Sequence, residues 1–144
     1  MKAGFSTDIE EATRKNTDYR RVLFTGPHTQ LVLMSLKPGE EIGEEVHSNV
    51  DQFFRFEDGQ GVVVINGARH EVRNGSAVVV PSGARHNVIN TSAIRDLKLY
   101  TLYSPPEHPD KLVARTKPKE VERKPGFAGI REEIANRPRR RMLR

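Results

Sequence analysis

Asn74-Gly75-Ser76-Ala77-Val78-Val79-Val80-Pro81-Ser82-Gly83-Ala84-Arg85-His86-Asn87-Val88-Ile89-Asn90 decides the fold: two short runs rich in β-branched residues, each bounded by turn residues. The first is too short for a helix and ends at a proline, which has no N–H to give to a ladder. Pro81-Ser82-Gly83 then supplies a fixed φ followed by a position that tolerates positive φ, which a reversal between strands needs. In the second run the side chains alternate, so His86, Val88 and Asn90 share one face.

The same punctuation recurs outward in both directions at intervals of roughly 8 to 12 residues, the pattern of an all-β sandwich or barrel. Strands are predicted at 22–24, 30–36, 42–47, 52–56, 61–65, 68–72, 77–80, 86–90 and 97–103. Asn66-Gly67 supplies two residues that accept positive φ, predicting a type I′ hairpin between the fifth and sixth. Upstream, Thr7 and Glu10 have the spacing of a capping box and predict one short helix. Downstream, Pro105, Pro106 and Pro109 remove ladder donors, so the barrel is expected to end at Ser104. The division is therefore 1–20, a segment with a short helix; 21–104, the barrel; and 105–144, a basic, partly disordered tail. Phe127, Ile130 and Ile134 offer the tail one helical stripe.

Composition limits the function. With 144 residues, 35% of them apolar, there is material for one core. No apolar run reaches the ~18 to 20 residues that span a bilayer, and Met1 to Thr17 lacks the apolar stretch of a signal peptide, so a cytoplasmic protein without membrane contact is expected. The absence of cysteine excludes disulfides, thiolate ligands and a thiol nucleophile. Net charge is +5, but residues 1–110 hold 12 Lys/Arg against 15 Asp/Glu, net −3, and residues 111–144 hold 12 against 4, net +8. All the excess positive charge is in the tail, where Arg137, Arg139, Arg140, Arg141 and Arg144 cluster. With Phe127 as its lone aromatic, the tail offers little stacking surface, and nucleic acid is not an expected partner.

Two motifs carry the chemistry. Gly75, Pro81, Gly83, His86 and Asn90 match every fixed position of the pattern G, five residues, P-x-G, two residues, H, three residues, N. Gly39 and Gly59 frame a second pattern, G, five residues, H-x-H, four residues, E, six residues, G, with Glu45 and His47 at the His positions and Gln52 at the Glu position. On these residues the chain resembles the cupins, small double-stranded β-helix (jelly-roll) barrels.

Alternation along a strand puts Glu45 and His47 on one face, and Gln52, Phe54 and Phe56 on one face of the next strand, with Phe53 and Arg55 outward. The resemblance implies that His86 arrives opposite, giving a metal set of Glu45, His47, Gln52 and His86. Glu44 and Asp51 compete for two of these roles, although a one-residue slip would expose Phe54 and Phe56. Exchanging His for Glu45 and Glu for Gln52 keeps the set's net charge at −1, and some cupins that open unsaturated uronates use Gln as a ligand. One divalent ion, Fe, Mn, Ni or Zn, is the expected cofactor. His28, His70 and His108 are read as surface or hydrogen-bonded residues. Tyr100 and Tyr103 are the catalytic candidates at the mouth, with Phe54, Phe56 and Arg85 as substrate-binding candidates. Arg55 and Lys98 are the other cations considered near the site.

A divalent ion with open positions could hold vicinal oxygens, polarise a carbonyl and stabilise an enediolate. The leading expectation is therefore isomerase-type chemistry on a small sugar-like or hydroxy-carbonyl substrate, and such small cupins resemble mannose-6-phosphate isomerases at the level of fold. The alternatives are an Fe(II) dioxygenase, which uses the same ligands, and a non-catalytic metal or small-ligand binding module. The resemblance also implies a homodimer, paired through outward residues such as Phe53, Tyr100 and Leu102.

Overall fold

The computed structural model describes residues 3–119. The helical stripe at Phe127, Ile130 and Ile134 and the terminal arginines lie outside them. Ten strands and one helix follow in the order α1 (Ile9–Lys15), β1 (Arg20–Thr25), β2 (Gln30–Leu36), β3 (Glu45–Val46), β4 (Asp51–Asp58), β5 (Gln60–Ile65), β6 (Ala68–Arg73), β7 (Ala77–Val80), β8 (Arg85–Asn90), β9 (Leu97–Ser104) and β10 (Val113–Ala114). They form two antiparallel sheets, β10-β1-β2-β9-β4-β7 and β3-β8-β5-β6, consistent with a double-stranded β-helix. No helix among the described residues is long and apolar enough to cross a membrane.

The strand pattern matches the predicted alternation. Along β4, Gln52, Phe54 and Phe56 are buried while Phe53 and Arg55 are only half-covered. Between the sheets, Val32, Met34, Leu36, Phe54, Phe56, Val63, Val88, Leu97 and Leu99 are buried almost completely. Each such side chain contributes about 1.5 to 3 kcal/mol by leaving water. Asn66 and Gly67 take φ of 48° and 84°, closing the β5–β6 hairpin as its turn chemistry requires. Gly59 has φ of 100°, and a Cβ there would stand 2.5 Å from the Asp96 carbonyl, so both backbone and space demand glycine.

Three expectations need correcting. The helix is capped by Asp8, whose Oδ1 accepts from the Glu11 N–H at 3.0 Å, and not by Thr7. The strand expected over 42–47 contracts to β3, because Gly43 adopts φ of 105° and only an isolated bridge, Glu41 to Ile89, precedes it. The barrel does not stop at Ser104. Residues beyond the prolines return across β1, where Val113 and Ala114 pair with Arg21 and Arg20, and Leu112 packs on the core. The anchor is Gln30, fully buried, whose Nε2 donates to the His108 carbonyl (2.7 Å) and whose Oε1 accepts from the Glu107 and His108 N–H groups (3.1 and 2.9 Å). One amide side chain thus satisfies backbone groups that the proline-rich segment could not pair in a ladder.

Candidate metal centre

Strand register brings the first candidate ligands together. In the β3–β8 pair Glu45 lies directly opposite His86, so their side chains leave the same face at cross-strand distance. His47 follows two residues after Glu45, and its carbonyl accepts from the Gly83 N–H at 2.8 Å, tying it to the Pro81-Ser82-Gly83 turn. The Oε1 of Glu45 stands 3.3 Å from His47 Nε2 and 3.9 Å from His86 Nε2. One ligand atom from each of the three lies within 4.8 Å of the others. Donors that share an ion at 2.0 to 2.2 Å are separated by about 3 Å, close to these spacings.

Both imidazoles are oriented with Nε2 toward the cluster. His86 Nδ1 lies 3.0 Å from the Ala84 carbonyl; donating its proton there leaves Nε2 as a bare lone pair. That Nε2 is buried and has no partner. His47 Nδ1 faces Glu107 Oε2 at 3.6 Å, a carboxylate that backs a ligand imidazole from the far side. Burial lowers the His86 pKa, outweighing the nearby Glu45 carboxylate, so the ring is neutral at pH 7. Burial works to raise the Glu45 pKa, but the His47 hydrogen bond and the charges of His47, His86 and Arg20 prevail and hold it at about 2.

Gln52 enters from the other sheet. It is 2% exposed, its Nε2 donates to Thr101 Oγ1 at 3.0 Å, and its Oε1 is buried with no partner. Its register partner is Tyr103, whose ring meets His47 edge-on at 6.0 Å. His86 Nε2, across the strand pair from the ionised Glu45, and Gln52 Oε1 are each a buried lone pair lacking a donor, and imidazole, carboxylate and amide oxygen are donor types that suit a divalent cation. The competing acids are elsewhere. Glu44 is exposed and pairs with Arg85, while Asp51 is exposed and accepts from the Ser82 N–H.

The remaining candidates divide. Tyr103 is inside, and burial raises its pKa far above the ordinary tyrosine value, so it stays protonated. Tyr100 belongs to the outer face, against Phe53 at 6.3 Å, because strand alternation separates it from Tyr103. Phe54 turns an edge to His86, centroids 6.2 Å apart, whereas Phe56 stacks on Phe54 and is wholly buried in the core. Arg85 is 61% exposed and turned to Glu44, and its neighbour His86 takes the inward position. His28 and His70 are exposed as expected. His108, read as a surface or hydrogen-bonded residue, is half-buried: its ring packs edge-on against Tyr103 at 5.0 Å, its Nε2 is buried without a partner, and burial lowers its pKa well below the ordinary value. Sequence reasoning missed His108, Glu107 and Arg20, which come from segments outside both motifs. A polar pair directly after a proline run was the one available signal.

Known proteins share this architecture. The cupin domain model matches residues 32–103. The uncharacterized protein YrkC of Bacillus subtilis (strain 168) is 46% identical over 118 residues, which cover 78% of this chain and 63% of YrkC. The uncharacterized protein L612 of Acanthamoeba polyphaga mimivirus is 42% identical over 108 residues, covering 73% of this chain and 68% of its own. This chain thus spans about two thirds of the length of those curated relatives. Among solved structures, the Bacillus halodurans protein BH2720 is 43% identical with a TM-score of 0.78, covering 80% of this chain and 91% of that one. The match runs from Val32 on β2 to Tyr103 on β9 and takes in both glycine-framed motifs, so this chain belongs to the cupin family.

Proposed function

We propose that the barrel binds one divalent ion (Fe, Mn, Ni or Zn) through Glu45, His47, Gln52 and His86, and acts as a metal-dependent enzyme of isomerase type on a small sugar-like or hydroxy-carbonyl molecule. The observation that carries this reading is the convergence of Glu45, His47 and His86, with His86 Nε2 buried and lacking a donor; the unpaired Gln52 Oε1 is the fourth lone pair available. When bound, the ion would supply Lewis acidity toward a carbonyl or a pair of vicinal oxygens. The chain's own residues supply the rest. The Ala84 carbonyl fixes the tautomer of His86, and the Glu107 carboxylate stands behind the His47 ring. Tyr103, kept protonated, can donate to a substrate oxygen beside His47. Phe54 closes the inner side of the His86 ring against water.

The test begins with elemental analysis of purified wild type and His86→Ala. One ion per chain in the first and none in the second is expected; equal content in both sinks the assignment. The metal-loaded protein is then assayed for aldose–ketose interconversion. A second reading has its own support, because two imidazoles and one carboxylate are the facial set of non-haem Fe(II) oxygenases. Oxygen uptake after anaerobic Fe(II) loading decides between them. Metal retained with neither activity would leave a binding module.

The homodimer belongs to this proposal too. Across the outer face of the larger sheet Leu31, Leu102, Phe53 and Val79 stand in register, and Val79 is 64% exposed. Tyr100 flanks Phe53. An uncovered apolar row of this kind suits a second copy of the same face. Light scattering at micromolar concentration should give twice the monomer mass, and Phe53→Asp should return it to one.

A further inference from the structure

The cations weighed from sequence are all engaged away from the barrel interior. Arg85 pairs with Glu44 (3.4 Å), Arg55 with Glu57 (3.6 Å), and the Lys98 ammonium donates to the Asn16 carbonyl. Arg20 is different. It sits on the inward face of β1 with Val22, opposite Met34 of β2, and places its guanidinium carbon 5.1 Å from the Tyr19 ring centroid. Its Nε is sealed from solvent and has no hydrogen-bond partner, and no carboxylate among the described residues forms an ion pair with it. Yet its electrostatic neighbours are Tyr19, Tyr103, Glu45 and Glu107, of which Glu45 belongs to the metal cluster and Tyr103 and Glu107 face His47, and it acts on His108 as well.

A half-buried guanidinium whose Nε is sealed from water and unfilled is costly unless something completes it. Tyr19 offers it a ring face but, being protonated and pushed up to about 12 by burial, no negative charge. Glu45 belongs to the cluster and Glu107 faces His47. With a divalent ion in place, two positive charges from the ion and one from Arg20 exceed the two carboxylates by one. The chamber then favours an anion, and guanidinium N–H groups match the planar geometry of a carboxylate.

We infer that Arg20 is the anion-anchoring residue of this site, and that its ligand is a small carboxylic acid whose other end chelates the metal. The inference rests on the metal reading above and narrows its substrate class from sugar-like or hydroxy-carbonyl molecules at large to acids. Arg20 lies in β1, before the residues matched by the cupin domain model, so the specificity comes from a strand outside the matched core.

The probes are malate and 2-hydroxyglutarate, each against its ω-amide, which keeps the chelating 2-hydroxy acid end and loses the distal charge. Titration calorimetry on metal-loaded wild type should show at least one diacid binding about tenfold or more tighter than its amide, as expected for a charged hydrogen bond. Arg20→Gln should reduce the diacid to the level of its amide and leave the amide unchanged, while Arg20→Lys keeps part of the preference. Equal binding of acids and amides by wild type overturns the inference without needing any variant, as does an Arg20→Gln protein that weakens both alike. Metal analysis accompanies each titration. Wild type that retains no metal overturns the metal reading and this inference together, whereas retained metal without an acid preference overturns this inference alone.

Discussion

Two rows of residues cross the inner face of the larger sheet, equally buried and chemically opposite. Met34, Leu99 and Phe56 form one, all 0% exposed. Gln30, Tyr103 and Gln52 form the other, four residues further along, at 0%, 2% and 2%. The first is an ordinary hydrocarbon core. The second spends buried volume on amides and a phenol, and one of its members keeps an acceptor, Gln52 Oε1, with no donor. Equal burial with unequal satisfaction separates the end of the barrel that holds the fold from the end where we propose the site.

The sharpest way to break this contrast is Phe56→Ala. The side chain stacks on Phe54 and touches no polar group of the site, so its loss should destabilise the protein by about 3 to 5 kcal/mol in chemical denaturation, as for other buried aromatics. Metal stoichiometry of the folded fraction should not change. A variant that stayed stable but lost metal would show that the apolar row serves the site directly.

Gln30→Leu comes next. It removes the acceptor for the Glu107 and His108 N–H groups and the donor to the His108 carbonyl, leaving buried backbone groups unpaired. A loss of about 2 to 4 kcal/mol is expected. Because Glu107 is carried by the segment that Gln30 holds, metal affinity should fall as well. Stability lost without any change in affinity would uncouple that segment from the site.

Much of this division was legible in the sequence, and the exceptions have a common cause. Gly75, Pro81, Gly83 and Asn66-Gly67 act through local backbone geometry, which sequence encodes residue by residue, so strands and register could be read. Asn90 is of the same kind: its Nδ2 donates to the carbonyls of Leu36, Lys37 and Arg95, fastening the loops beside β8. Alternation then placed Gln52 inward and Arg55 outward. It was not applied to Arg85, a substrate-binding candidate that the structure turns outward to Glu44 because its neighbour His86 takes the inward position. Arg20, Glu107 and His108 were not legible because nothing local brings them to the site. They depend on β1 and on the return of residues 105–115 over it, held by the β10–β1 pairing and by Gln30, more than seventy positions away in sequence.

Glu107→Gln probes that long-range contribution with a smaller change. The carboxylate faces His47 Nδ1 at 3.6 Å and is partly exposed, so its removal should leave stability nearly unaltered. Outer partners of metal-bound histidines typically matter about tenfold or more in affinity, which competition with a chromogenic chelator would measure. An unchanged affinity would place Glu107 outside the site despite its proximity.

The smallest effect is the most discriminating. Gln52→Met preserves volume, removes the orphaned Oε1 and sacrifices the hydrogen bond to Thr101, two changes of opposite sign that should leave the metal-free protein within about 1 kcal/mol of wild type. Metal affinity should nevertheless fall, since a thioether is a poor ligand for ions that select oxygen and imidazole. Unequal responses, stability flat and affinity lower, are what a residue kept for chemistry must give. If both stay flat, Glu45, His47 and His86 bind alone, and the amide's unpaired oxygen faces the substrate rather than the ion. If stability rises while affinity falls, the polar row has retained Gln52 at the expense of the core, and the contrast between the two ends of the barrel is then measured on a single side chain.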